Sequence, residues 1–298
     1  MIGYFFAFLV AYGYASSNFY IKKGLANGSK DVGVFITILV NVSVALVLAV
    51  YIITKSPTVF KFPGIIFFVL SGLMGPILGR LTFYNAFNHV GITLASSIKI
   101  AAPVFAAVIA FFALNETLTL RAITGMFIVM LGLYLLSKQN NSNPDAPAGK
   151  NRSFMVGILF ALASALSFAT GNVFRKIGLQ YIDSAVLGLA VSTCGSLVIY
   201  TVYFLIKGKF KEFTALNPAG RKDFIIGGLF TTLATFSYFL SLKTIPVAIT
   251  VTIANTEPIF VIFLSKYVFK LADEPLNFRL FMNIAVIFSG VLLITFKG

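Results

Sequence analysis

Ten apolar runs, most of them near the length of a bilayer-crossing helix, divide this sequence and leave it few alternatives to a helical membrane bundle. They cover 2–21, 32–54, 64–87, 91–114, 121–136, 154–174, 184–206, 224–242, 246–269 and 280–296. The fifth and tenth are short and would cross with little tilt. None resembles the roughly ten-residue alternating strand of an outer-membrane barrel. Composition agrees: the chain is 58% hydrophobic and 11% charged, against about 45–50% and about 25% in a soluble domain. The first run lacks the basic leading region of a secretory signal and matches the sixth, so it reads as a spanning helix. The single cysteine, Cys194, lies in an apolar run. It permits no disulfide within the chain and reads as a small buried hydrophobe.

The formal charge of +14 does not imply nucleic acid. Lys and Arg collect in the short segments between apolar runs, where they fix topology and meet anionic head groups. No nucleic-acid partner is expected; the lipid bilayer is.

The chain repeats itself. Gly3, Asn18, Lys22 and Gly24 recur 154 positions later as Gly157, Asn172, Lys176 and Gly178. Gly72 and Pro103 recur 155 positions later as Gly227 and Pro258. Glu116, Leu118, Arg121 and Gly132 recur 158 positions later as Glu274, Leu276, Arg279 and Gly290. Ordered matches at a slowly drifting offset are the mark of an internal duplication. The polar stretch KQNNSNPDAPAGKNRS at 138–153 reads as a flexible linker. It divides a first five-helix unit, 1–137, from a second, 154–298. Five crossings are an odd number, so the second unit enters from the opposite side. The expected fold is all-α: ten transmembrane helices as two inverted five-helix repeats. Such repeats place a binding site near the midplane and supply two related conformations for alternating access.

NETLTLRAITGMFIVMLGLYLL at 115–136 and DEPLNFRLFMNIAVIFSGVLLI at 273–294 resemble the closing segment of the EamA unit of the drug/metabolite transporter superfamily. Glu257–Pro258 is similar to a pair in that family's ninth helix, whereas the first half has Ala102 before Pro103. The resemblance implies ten crossings, a secondary transporter and cytoplasmic termini. It names no substrate, since the family moves amino acids, nucleotide-linked metabolites, sugars and drugs. Charge counting opposes the implied orientation. With the termini inside, the inner side holds Lys55, Lys61, Arg121, Arg175, Lys176, Lys243 and Lys297. The outer side holds Lys22, Lys23, Lys30, Lys138, Lys150, Arg152, Lys207, Lys209, Lys211, Arg221, Lys222, Lys266, Lys270 and Arg279, so 7 face 14. The positive-inside rule prefers the reverse.

Three charges fall within apolar runs: Arg80, Lys99 and Glu257. Facing lipid they would together cost roughly 8–10 kcal/mol, so they should face the bundle interior or water. Lys99 and Glu257 lie on matching runs of the two units, each close to a proline, Pro103 or Pro258. They are expected to line one central cavity and bind substrate, with Glu257 also a candidate for proton coupling. A structural ion pair is the plainer alternative. The net positive set favours a solute bearing a carboxylate or phosphate, such as an amino acid. Asn18, Asn172, Tyr14, Tyr84 and Tyr238 could add hydrogen bonds and stacking, although interhelical bonding and packing explain such residues as readily. Gly72, Gly75, Pro76 and Gly79 weaken the third run just before Arg80, so Pro76 joins Pro103 and Pro258 as a candidate helix break or gate. His89 is expected in the turn between the third and fourth runs. Glu116 and Arg121, with Glu274 and Arg279, are expected to hold the last helix of each unit.

Enzyme chemistry finds no support: one histidine and one cysteine make no ordinary zinc site, and no phosphate loop or nucleophile elbow occurs. No metal or cofactor is expected. The expected function is secondary transport of small organic metabolites, coupled to a proton or counter-substrate, by a monomer or homodimer in the plasma (inner) membrane, or an organellar membrane in a eukaryote. The rivals are a multidrug or cation exporter of the same fold and a non-transporting scaffold or sensor.

Overall fold

The computed structural model describes residues 1–55, 61–139, 152–264 and 278–295. Most of the linker, with Lys266, Lys270 and Glu274, lies outside the described residues. In chain order the helices are α1 (Ile2–Leu25), α2 (Lys30–Lys55), α3 (Phe62–Gly72), a π-helical segment (Leu73–Gly79), α4 (Arg80–Lys99), α5 (Ala102–Leu114), α6 (Leu120–Gln139), α7 (Arg152–Tyr181), α8 (Ala185–Lys207), α9 (Phe210–Thr214), α10 (Pro218–Leu242), α11 (Val247–Ala254), α12 (Glu257–Phe263) and α13 (Phe278–Thr295). No strand occurs among the described residues.

Among the described residues, five stretches are long and apolar enough to cross a bilayer by length and composition: Lys30–Lys55, Phe62–Phe83, Phe154–Tyr181, Ala185–Lys207 and Pro218–Leu242. Shorter apolar helices stand beside them, among them Ala102–Leu114 and Met282–Ile294. Large apolar side chains such as Val47, Phe112 and Ile206 are turned outward, as they should be where the solvent is hydrocarbon.

The fourth and ninth apolar runs behave differently. Each is cut in two at repeat-related places, between Lys99 and Ala102 and between Ala254 and Glu257. Pro103 and Pro258 each sit in the first turn of the helix that follows. Proline lacks the N–H that a first turn leaves unused, so here it starts a helix rather than bending one. Pro76 acts otherwise. It lies inside the π-helical segment, where the wider hydrogen-bond spacing absorbs its missing donor.

The path of α4 follows from one contact. Lys99 Nζ lies 4.7 Å from the ring centroid of Phe83. A straight helix would set these residues about 24 Å apart, more than both side chains can span. The chain therefore doubles back between them, although its helical hydrogen bonding runs on. His89 falls in this reversal, stacked on Phe160 of α7 at 6.0 Å.

Packing repeats as the sequence does. The Phe224 ring of α10 fills the space left by Gly24 of α1 and Gly33 of α2, and the Phe68 ring of α3 does the same against Gly178 of α7, sharing the space at Gly188 of α8 with the Phe239 ring. A β-carbon at any of the four would collide with an aromatic ring, at Gly188 that of Phe239 first. Helices α6 and α13 cross at Gly125 and Gly290, with Gly132 against Ile287 further along. Rising positions on one thus meet falling positions on the other, so these repeat mates run antiparallel.

Where α2 begins and α8 ends, a polar and aromatic cluster closes the bundle. The buried carboxylate of Asp31 pairs with Lys209 and accepts from the Tyr200 hydroxyl at 3.3 Å. Ser29 donates to Glu212 at 2.6 Å, and the Phe35 ring stacks on Phe204 at 4.5 Å. The hydrogen bond to Asp31 raises the pKa of Lys209 above the ordinary lysine range. Its contribution to stability is therefore complete below that range and fades only as strongly alkaline pH passes the raised value. Lys209→Met leaves the buried Asp31 short of a donor, at about 1–3 kcal/mol. We expect a lower melting temperature for this variant, with the gap to wild type constant from pH 6 to 9.

Candidate functional site

The two breaks create the site. At the first, α4 ends at Lys99; at the second, α12 begins at Glu257. A helix C-terminus favours a cation and an N-terminus favours an anion, because unpaired carbonyls and N–H groups point outward there. Each unit thus offers a half-helix end that suits the charge it carries.

Glu257 Oε1 accepts a hydrogen bond from Asn18 Nδ2 of α1. Lys99 lies within the electrostatic reach of Glu257 but forms no direct ion pair with it. Its ammonium instead rests over the rings of Phe83, at 4.7 Å, and Phe168, at 4.6 Å, an arrangement that stabilises a cation away from water. A carboxylate and an ammonium held near each other yet apart form a polarised gap rather than a closed bridge.

A second group adjoins the first. The Tyr14 hydroxyl meets Thr235 Oγ1 at 3.4 Å, and its ring lies 6.4 Å from that of Tyr238. Tyr238 also lies within the electrostatic reach of Glu257 and beside Asn172. The guanidinium of Arg175 sits 5.5 Å from Tyr238 and 5.4 Å from Phe239, and its Nη1 donates to Asn172 Oδ1 at 2.8 Å. Six of the residues singled out in the sequence therefore gather here: Tyr14, Asn18, Lys99, Asn172, Tyr238 and Glu257. Arg80 turns aside to Thr37 of α2, at 3.5 Å, though Lys99 still feels its charge. Tyr84 belongs to α4, and its side chain lies outside the described residues.

Accessibility falls across the group. Asn18 is exposed, Glu257 and Lys99 are partly buried, and Asn172, Arg175 and Tyr238 are buried. Beyond the buried end stands a clasp. Lys176 pairs with Glu116 at 2.5 Å and donates to the Ile245 carbonyl at 2.8 Å, while the second Glu116 oxygen accepts from Val247 N at 2.9 Å. Glu116 reaches this point because α5 stops at Asn115 in a left-handed conformation, φ 52°, which asparagine tolerates. The expectation that Glu116 works with Arg121 to hold the last helix of its unit is thus amended: its partners are α7 and the start of α11.

Sequence reasoning missed Arg175, which it placed in a loop. The apolar run stops at Phe174, but α7 continues to Tyr181, and Arg175 is 4% exposed. The one hint was its repeat mate: Ile21 stands 154 positions before it, so the second unit carries a charge the first lacks. Three buried polar atoms at or beside the site, Arg175 Nε, Ser237 Oγ and Asn255 Nδ2, have no hydrogen-bond partner. A cavity of about 380 Å³ lies elsewhere, among Phe8, Tyr12, Phe260 and Phe288 of α1, α12 and α13. Its walls are apolar and it holds none of the charges.

The profile of the EamA-like transporter family matches residues 1–138 and 155–296. The uncharacterized transporter YoaV of Bacillus subtilis (strain 168) is 30% identical over 142 residues, 47% of this chain and 46% of that protein. The match thus spans under half of the relative's length. A protein known from a crystal structure superposes with a TM-score of 0.78 over 98% of this chain and 96% of its own, at 12% identity, a likeness of fold.

Proposed function

Since the chain belongs to the EamA-like transporter family, a family of multi-pass membrane transporters, we propose that it is a secondary transporter of small organic metabolites in the plasma or inner membrane. Its two units, 1–137 and 154–298, would form ten crossings in inverted relation about the linker 138–153. The antiparallel crossing of α6 and α13 and the matched helix breaks support that inversion. The observation that carries the reading is Glu257. It is a carboxylate at a helix break in an apolar run, held by Asn18 of the other unit and facing Lys99 without bridging to it. A lock between helices would close that gap; a site that exchanges ligands or protons keeps it open.

The accessibility gradient is in keeping with alternating access. The conformation is open where Asn18 lies and shut at the Glu116–Lys176 clasp. The reverse state would part the clasp and cover Asn18, with the breaks before Pro103 and Pro258 and the π-helical turn at Pro76 taking up the motion. Purified full-length protein in proteoliposomes, assayed with a panel of amino acids, sugar phosphates, organic acids and cationic drugs, should move at least one solute class above protein-free vesicles. An imposed pH gradient will reveal whether a proton moves too. Background flux for the whole panel in both gradient directions would defeat the proposal.

A further inference from the structure

We infer that Arg175 is the anion-recognition group of the transport site, holding a carboxylate or phosphate of the substrate on its Nε–Nη2 edge; the inference rests on the transporter reading above. Arginine keeps its charge at any accessible pH, and this one is 4% exposed. Among the described residues no carboxylate pairs with it. Its side chain is held in a definite pose, over Tyr238 and Phe239 and through Nη1 to Asn172. That pose occupies one end of the guanidinium and leaves the other. Nε has no partner, and Nη2 points toward Gly75 of the π-helical segment.

Nε and Nη2 form the edge that receives a carboxylate or phosphate through two parallel hydrogen bonds. Gly75 places no side chain against that edge. A β-carbon there would meet nothing but Nη2, at 3.6 Å. The backbone of Gly75 packs against Gly171 of α7, and the side where a β-carbon would stand faces the guanidinium. π-helical turns are often found at functional sites, and this one fixes the opposite wall. The Asn18–Glu257 pair adjoins it, since Asn18 lies one turn along α1 from Tyr14, whose ring is 6.4 Å from that of Tyr238. A substrate with an oxyanion on Arg175 and an amine toward Glu257 would answer both charges, so a zwitterionic amino acid fits the site best and a phosphorylated metabolite second.

The test uses wild-type protein first. Proteoliposomes are loaded with the proteinogenic L-amino acids in one arm and with three- to six-carbon sugar phosphates in the other, and counterflow of labelled members is measured. Each solute is paired with its blocked analogue, the amino-acid amide or the unphosphorylated sugar. Flux of the free anion is expected to exceed that of its blocked partner at least tenfold, and the arm that responds identifies the source of the oxyanion. Arg175→Gln should lose at least tenfold for the anion, and Arg175→Lys should recover part of it with weaker selectivity between acid and amide. Equal flux of acid and amide, or flux of neutral or cationic solutes alone, overturns the inference and leaves the transporter intact. No flux from the whole panel defeats both. Should Arg175→Gln fail to fold, the acid-to-amide ratio of the wild type decides.

Discussion

Glu257→Gln is expected to reduce solute flux about 100-fold while the protein still inserts and purifies as wild type does. The two side chains have nearly the same shape, and the glutamine oxygen can still accept from Asn18. What goes is the charge. A hydrogen bond to a charged group contributes about 1.5–3 kcal/mol where a neutral one contributes about 1. Lys99 loses its nearby counter-charge as well. A site that relies on Glu257 for a substrate amine loses that contact; one that relies on it for a proton loses the step altogether. Uptake into proteoliposomes, beside gel filtration of the same sample, separates lost function from lost fold. Flux within twofold of wild type from a well-folded variant would remove Glu257 from the mechanism.

The largest expected effect on stability comes from Gly290→Leu. A β-carbon at Gly290 would lie 2.8 Å from the Gly125 carbonyl oxygen and from Val129 N, and one at Gly125 would lie 2.7 Å from the Gly290 carbonyl. These neighbours are backbone, which has no rotamer to change, so α6 and α13 must separate. Between helices in lipid, close contact itself supplies much of the attraction. Overpacking costs about 1–3 kcal/mol in a core and more when a whole helix must move. We expect Gly290→Leu to cost at least about 3 kcal/mol and to remove most monodisperse protein after detergent extraction, with Gly290→Ala intermediate. Full yield and an unchanged melting temperature for Gly290→Leu would mean that α6 and α13 do not cross in this way.

The sequence disclosed what depends on spacing. Prolines 155 positions apart marked both helix breaks, because proline fixes backbone geometry locally. Two charges in apolar runs, Lys99 and Glu257, pointed to the candidate site, because hydrocarbon penalises them wherever the chain later goes. It did not disclose what depends on a partner distant in the chain. Arg175 and Lys176 ended a hydropathy run and so resembled a loop. Helix α7 continues through them since Tyr238, Phe239 and Glu116 await them from α10 and the segment after α5. Spacing likewise suggested Arg121, on the same helix junction, as the neighbour of Glu116, whereas its ion-pair partner is Lys176 on α7. Arg80 had the right chemistry for the centre, but it donates to Thr37 on α2.

The two phenylalanine wedges have a consequence for biogenesis. Phe224, which seals α1 to α2, is synthesised 200 residues after Gly24, the glycine it covers. At about 5–20 residues per second of translation, the first helices stay without their keystone for about 10–40 s. Each bundle is completed only by a helix encoded in the other half of the gene, so a ribosome that stalls at the linker leaves a product with unfilled grooves, a ready substrate for membrane quality control.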